Sequence, residues 1–233
     1  MIARVVLVVA LAAGPARADE TALHSTIGWG NTVEPAVVAV STQGGYDGAQ
    51  QRALATGLVE VALYSRLSAF AAVTYGEEAG GATRPALGLA VQLVDPRRAP
   101  VGLRLSGAYK PEGFSEPEGE LETVLTAAHL FERDVARVFV AYGRDPDGHE
   151  SDVEVGAGYL RRVTASLVVG ATARYRYAIA RRDPATRWDV IGGAVGDVEL
   201  DRWRVELLLG GGAVGADRTS FGPLGLVSVG FDL

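Results

Sequence analysis

Residues 153–160 read Val-Glu-Val-Gly-Ala-Gly-Tyr-Leu, and this stretch decides the fold. Its odd-numbered positions are apolar or aromatic, whereas its even-numbered positions carry Glu154, two glycines and Leu160. Successive side chains of a β-strand point to opposite faces of the sheet. The stretch therefore predicts a strand that lies between two different environments, one apolar and one that accepts a charge.

The same alternation recurs about twelve times along the chain, and no amphipathic helix of three turns interrupts it. Each segment has roughly the 9–11 residues that a tilted strand needs to cross a bilayer. The sequence therefore predicts an all-β chain. The predicted strands lie near 35–43, 53–64, 67–76, 85–95, 101–110, 120–131, 134–143, 151–161, 163–177, 187–198, 202–214 and 222–233.

The connections between these segments alternate between short and long. The short ones lie at 65–66, 95–100, 132–133, 161–162 and 199–201. The longer ones, richer in Gly, Pro and charge, lie at 44–52, 77–84, 111–119, 144–150, 178–186 and 215–221. This rhythm predicts an up-and-down antiparallel transmembrane β-barrel with about 12 strands (10–12) and both termini at the short-turn rim.

The N-terminus has the three parts of a secretory signal peptide. Arg4 precedes an apolar run at 5–13, and Ala-Arg-Ala at 16–18 fits the cleavage rule. The alternative is an ordinary buried segment. We expect residues 1–18 to be a signal peptide, 19–34 a short periplasmic segment and 35–233 the barrel, with no transmembrane helix.

Composition excludes several classes of function. The 233 residues include no cysteine, so a disulfide scaffold and a catalytic thiol are excluded. The formal charge of −6 argues against nucleic acid as a partner. No glycine-rich phosphate motif is found, so we expect no cofactor. The acidic loop 144–152 lacks the EF-hand spacing of ligands and glycine, so we assign no metal site. The loop 144–152, with His149 and Ser151, leaves an enzymatic site at the rim conceivable.

Most aromatic residues fall near the ends of the predicted strands, as two girdles at membrane interfaces would require. Those near the long-loop end are Tyr75, Tyr109, Tyr142, Tyr175, Tyr177 and Trp188. Those near the short-turn end are Tyr64, Phe131, Tyr159, Trp203 and Phe231. Only Phe70 and Phe139 lie near mid-strand. Tyr64 shares the parity of Glu60 and should point inward unless a bulge intervenes.

The last strand is amphipathic, with Val227, Val229, Phe231 and Leu233 alternating with small or polar residues. In this pattern the whole chain resembles the bacterial outer-membrane β-barrels. The resemblance implies outer-membrane lipid as the surroundings, a Gram-negative source, and recognition of the C-terminal strand by the barrel-assembly machinery. Leu233 stands where that class commonly has a terminal phenylalanine.

Nine charged residues lie on the non-lipid face of their strands, and we expect them to line the lumen. An arginine on the lipid face at mid-depth would cost about 2–4 kcal/mol. The nine are Glu60, Arg104, Glu122, Arg137, Glu154, Arg174, Asp189, Arg204 and Glu206. Hairpin register predicts the ion pairs Arg174–Asp189, Arg204–Asp197 and Lys110–Glu120 or Lys110–Glu122. It finds no opposite charge directly across from Glu60, Arg104, Arg137 and Glu154.

Several functions remain open at this point. The charges form either a polar plug that fills the barrel or a narrow pore whose unpaired charges select the solute. Twelve strands enclose more room than the eight that side chains can fill, so a pore stays compatible with these charges. We expect a monomeric barrel that is a passive, porin-like channel for small polar solutes or ions, or a structural barrel. The alternatives are an outer-membrane enzyme with a rim site and a secreted soluble β-protein. The acidic connections, 111–120 and 144–152, are either a solvated surface or bridged by divalent cations to anionic lipid headgroups.

Overall fold

Twelve antiparallel strands form one closed barrel in the computed structural model, which describes residues 38–75, 83–95, 98–113, 116–180, 187–200, 202–215 and 218–232. The strands are β1 (Val38–Asp47), β2 (Arg52–Tyr64), β3 (Leu67–Tyr75), β4 (Thr83–Val94), β5 (Val101–Gly113), β6 (Glu116–Leu130), β7 (Asp134–Arg144), β8 (Ser151–Arg162), β9 (Leu167–Ala180), β10 (Trp188–Leu200), β11 (Trp203–Gly215) and β12 (Thr219–Asp232). The predicted fold class is confirmed. The predicted signal peptide and the segment 19–34 lie outside the described residues.

The barrel closes because β1 pairs with β12 as well as with β2. The register between β1 and β12 runs from Ala39 opposite Asp232 to Asp47 opposite Leu224. Every other strand pairs with its two neighbours in the sequence, so the topology is up-and-down. Within the described residues, no helix is long and apolar enough to cross a membrane.

The connections at the long-loop rim are less uniform in length than predicted. β5 and β6 continue pairing to Gly113 opposite Glu116, where the sequence predicted a loop at 111–119. Gly119 permits this, since a Cβ there would lie 2.4 Å from the Lys110 carbonyl oxygen. The connections at 48–51 and 216–218 are also short. Extended hairpins thus replace three of the six predicted long loops, although the even strand count is unaffected.

Parity separates an apolar outer face from the interior of the barrel. The alternation of the sequence also predicts lipid contact for seven residues, and all of them lie on the outer face and are exposed or half-buried; they are Leu103, Leu105, Val155, Leu167, Val169, Val205 and Leu207. Exposed aromatic rings lie towards both rims, among them Tyr75, Tyr142 and Tyr175 at one end and Phe131, Tyr159 and Trp203 at the other.

Tyr64 points outward, because the register of β2 and β3 shifts between Ala62 and Tyr64. The extra residue of a β-bulge reverses the face on which the following side chains lie. Tyr64 is consequently 70% exposed and joins the girdle at the short-turn rim. The condition stated for Tyr64 is therefore met, because a bulge intervenes and the side chain points outward.

The two mid-strand phenylalanines point inward, and each lies over a glycine of the next strand. Phe70 is opposite Gly88 and Phe139 is opposite Gly156. A Cβ at Gly88 would lie 2.2 Å from the Phe70 ring, and a Cβ at Gly156 would lie 2.1 Å from the Phe139 ring. Each ring therefore occupies the space that a side chain on the facing strand would need.

Replacing Leu105 by Arg should impair assembly, because a guanidinium at that outward position must be moved into lipid, at a cost of about 2–4 kcal/mol near mid-depth. Ser106 lies on the inner face of the same strand, so Ser106→Arg should be milder. The yield of heat-modifiable, refolded barrel measures both variants. Equal loss at the two positions would contradict the assignment of the faces.

Replacing Gly156 by Ala should destabilise the barrel by about 1–3 kcal/mol, since the added methyl group overpacks the Phe139 ring. The measurement is the urea dependence of unfolding in detergent. Gly196→Ala is the matched control, because nothing lies within 4 Å of a Cβ at that glycine. A Gly156→Ala variant as stable as the Gly196→Ala variant would show that the ring does not fill this space.

Candidate functional site: the charged interior

The nine predicted charged residues all lie on the inner face of their strands and are buried or half-buried. The most enclosed are Glu60, Glu154 and Arg174, each no more than 1% exposed. Desolvation of a charge is costly unless the charge is paired and hydrogen-bonded. The partners of these side chains therefore determine whether the interior is stable.

The sign of the interior charge alternates from strand to strand over half of the barrel. β6, β8 and β10 carry acids, and the strands between and beside them carry bases; the residues are Lys110 and Arg104 on β5, Glu122 on β6, Arg137 on β7, Asp152 and Glu154 on β8, Arg174 and Arg176 on β9, Asp189 and Asp197 on β10, and Arg204 on β11. Two described side chains depart from this pattern: Glu206 adds an acid to β11, and Arg162 adds a base to β8 at its short-turn end. Opposite charges on neighbouring strands therefore face one another along the wall.

Arg174 on β9 bridges both neighbouring strands. It contacts Asp189 on β10, and its Nη1 lies 3.2 Å from Glu154 Oε2 on β8. The pair with Asp189 was predicted, but the expectation that Glu154 has no partner is wrong. Register places Glu154 opposite Arg176, and the long guanidinium of Arg174 reaches Glu154 diagonally.

Two further ion pairs connect neighbouring strands near the long-loop rim. Lys110 Nζ lies 2.7 Å from Glu122 Oε2, and register places Lys110 opposite Glu120, as the sequence predicted. Arg176 Nη2 lies 2.6 Å from Asp152 Oδ2, a pair that the sequence analysis missed. The signal was available, because Arg176 has the parity of Arg174 and Asp152 that of Glu154.

The short-turn rim is held by a smaller network around Arg204. The predicted pair is confirmed, with Arg204 Nε 3.0 Å from Asp197 Oδ2. Arg204 also forms an ion pair with Glu199. Glu199 Oε2 in turn lies 2.6 Å from Arg162 Nη1. The last two residues lie in or beside a predicted turn, where they had not been considered.

Glu60 and Arg104 form an ion pair that adjacent-strand register could not predict. Arg104 Nη2 on β5 lies 2.5 Å from Glu60 Oε1 on β2, and the Ser68 hydroxyl donates a hydrogen bond to the same carboxylate. β3 and β4 separate the two strands. As predicted, no opposite charge lies directly across from either residue. The two are nevertheless paired with each other, because the interaction reaches beyond the neighbouring strands.

Arg137 on β7 also reaches across the interior. Its Nη2 lies 3.5 Å from Thr172 Oγ1 on β9, and Glu206 on β11 acts on it electrostatically. The path over β8 passes Gly158, where a Cβ would lie 2.8 Å from Arg137 Nε. The glycine thus leaves the space that the arginine occupies. No opposite charge lies directly across from Arg137, as predicted, because register places Ala128 and Gly158 opposite it.

The interior also contains an aliphatic cluster that the sequence analysis missed. Its members come from β8 to β12 and are Leu160, Val168, Ile191, Val195, Leu208, Leu224 and Leu226. They share the parity of the charged residues on the same strands, so they face inward. Leu160 was placed on the face of Glu154 from the sequence, but the cluster that it forms with the other strands was not predicted.

The rim loop 144–152 lies beside a small polar pocket. A polar pocket of about 40 Å³, lined in part by Glu120, Asp145, Ser151 and Arg176, lies beside it, and His149 does not line that pocket. Over the residues that can be described, no group of three or more His, Asp and Glu side chains could hold a metal ion. The side chains of Glu112, Glu116 and Glu118 lie outside the described residues.

Comparison with known proteins identifies the class of fold. No protein-family model matches the sequence, and no curated protein matches it either. Among solved structures, "NanC porin" superposes with a TM-score of 0.59 at 11% identity, over 83% of this chain and 99% of that one. "KdgM porin" superposes with a TM-score of 0.54 at 6% identity, over 84% of this chain and 98% of that one.

The chain thus has the fold of a bacterial outer-membrane β-barrel. At these identities the likeness concerns the fold alone, and what the barrel does has to be argued from its interior.

Replacing Asp189 by Ala should lower stability by about 3 kcal/mol, because it leaves part of the buried Arg174 charge uncompensated. Urea unfolding in detergent measures the loss. The matched control is Asp134→Ala, which breaks an ion pair of 3.8 Å with Arg161, whose side chain is 60% exposed. That pair should contribute less than about 1 kcal/mol. Similar losses in the two variants would contradict a bracing role for Asp189.

Proposed function

We propose that this protein is a narrow, passive channel for small ions and polar solutes in the outer membrane of a Gram-negative bacterium. Export by the predicted signal peptide would precede insertion, and the barrel would act as a monomer. The observation that carries the proposal is the pair of arginines, Arg104 and Arg137, that cross the interior of a closed twelve-stranded barrel.

The location of the charges supports a path for solute near these two arginines. Glu60, Arg104, Arg137 and Glu206 each lie three or four residues from the strand end at the short-turn rim. Side chains that cross the interior at one level narrow the barrel there. Rings of charged side chains at such a constriction determine which ions pass through a pore.

The wall pairs have a different role in this proposal. Arg174 with its two acids, Lys110 with Glu122, and the other adjacent-strand pairs present little net field to a passing ion. They brace neighbouring strands and offset the desolvation of one another. The level of Arg104 and Arg137 is therefore where selectivity would be set.

A closed structural barrel is the second candidate, and a specific observation favours it. The aliphatic cluster and the low exposure of the interior charges are typical of a packed core, as in small barrels that conduct nothing. The two candidates differ in one measurable property, which is the conductance of the refolded wild-type barrel in a planar bilayer. The absence of any conductance would overturn the channel proposal.

Replacing Arg137 by Gln should raise single-channel conductance and shift the reversal potential in a salt gradient towards cation selectivity. The change removes a positive charge and a cross-lumen side chain, so anions lose an attraction and cations lose a repulsion. Arg161→Gln is the matched control, because it removes the same charge from the outer face of the barrel. Its reversal potential should equal that of the wild type.

An unchanged reversal potential for Arg137→Gln in a conducting barrel would exclude Arg137 from the ion path. Arg104→Gln then tests the other crossing residue in the same assay. If neither variant differs from Arg161→Gln, the conducting path does not pass the level of these arginines, and the proposal of a selectivity level is wrong.

A further inference from the structure

Arg187 lies on the outside of the barrel, at the rim opposite the short turns and directly above an aromatic row. Its amide donates a hydrogen bond of 2.9 Å to the Gly215 carbonyl, and its own carbonyl accepts one of 2.9 Å from Ala178. Arg187 directly precedes β10, and its backbone is held by both neighbouring strands. The side chain is exposed.

The guanidinium of Arg187 is held in place by Tyr177. Arg187 Nε donates a hydrogen bond of 3.1 Å to the Tyr177 hydroxyl, and the guanidinium carbon lies 5.6 Å from the centre of the same ring. A cation over an aromatic face is attracted by the ring, and the hydrogen bond adds an orientation. Among the described side chains, no carboxylate forms an ion pair with Arg187, so its two Nη groups keep their donors available.

The aromatic row beneath Arg187 runs along neighbouring strands. Register places Tyr142 opposite Val153, Val153 opposite Tyr177, and Tyr177 opposite Trp188. Amphipathic rings prefer the level of lipid headgroups. A charged group directly above this row therefore lies at headgroup height.

The charge of the rim is unequally distributed. The connection 181–187 carries three arginines and one aspartate, whereas 111–120 carries four glutamates and one lysine adjoins it at 110. Arg218 is also exposed, and it precedes Thr219, which pairs with Gly215 beside Arg187. Asp217 is adjacent to Arg218 in sequence and offsets its charge, so Arg187 is the stronger candidate for binding an anion.

We propose that Arg187, held on Tyr177, binds a phosphate group of the glycolipid that forms the outer leaflet. The guanidinium fork matches the geometry of phosphate oxygens, which favours arginine over a simple point charge at such a site. The proposal rests on the outer-membrane location proposed above, but it does not depend on conduction. It assigns a lipid-binding site to the β9–β10 side of the outer face.

The test measures binding of diphosphorylated lipid A to the refolded full chain in detergent by native mass spectrometry. Lipid A with both phosphates removed is the comparison ligand. Arg187→Gln should weaken binding of the phosphorylated lipid about tenfold, as expected when a charge-assisted hydrogen bond is lost. Tyr177→Phe retains the ring but loses the oriented hydrogen bond, so its loss should be smaller.

Arg98→Gln is the matched control, because Arg98 is an exposed arginine whose side chain is 81% accessible at the opposite rim. It should bind phosphorylated lipid A as the wild type does. Equal binding by Arg187→Gln and Arg98→Gln would overturn the proposal, and so would equal binding of the phosphate-free lipid by the wild type. Heat-modifiable mobility shows that each variant is folded, and Arg187→Lys provides a second variant that retains the charge and loses the fork.

Failure of this proposal and failure of the channel proposal give different results. A barrel that conducts no ions but binds lipid A through its phosphates supports the lipid site and overturns the channel. A barrel that conducts ions and binds both lipids equally supports the channel and overturns the lipid site.

Discussion

The pairing of β1 with β12 is the constraint on which the rest of the structure depends. In a bilayer no water satisfies backbone polar groups, so a sheet can cross only when it has no open edge. The ladder from Ala39 to Asp47 provides that closure. Once the sheet is closed, the parity of each strand fixes one face towards lipid and the other towards the interior, and the charged residues have only one place to go.

Confinement of charge to the interior explains the alternating sign of neighbouring strands. A barrel whose inner face carried one sign on adjacent strands would accumulate repulsion in a poorly hydrated space. Acids on β6, β8 and β10 between bases on β5, β7, β9 and β11 avoid this and turn desolvated charges into bridges between strands. Arg174, with one acid on each side, shows that the bridging extends over three strands.

The sequence predicts the fold well because the two-residue alternation of a strand is a local signal. Together with hairpin register, this signal predicts contacts between adjacent strands but not between more distant ones. All twelve strands and the pairs Arg174–Asp189 and Arg204–Asp197 follow from alternation and hairpin register. The contact between Glu60 and Arg104 spans two intervening strands, and such a distance depends on barrel curvature, which register does not encode. The direction of the Tyr64 side chain could not be decided from the sequence either. One extra residue in the strand reverses the parity without any change in hydrophobic pattern.

The interior divides its charges between two physical roles, and the division follows from side-chain length. Acidic side chains are short and stay near their own strand, so the bases decide whether a contact runs along the wall or across the barrel. An arginine beside acids on both neighbouring strands is retained at the wall, as Arg174 is. Arg137 has Gly158 on the next strand, so space and not an adjacent acid directs it towards β9. Glycine on one strand thus determines where an arginine of another narrows the barrel.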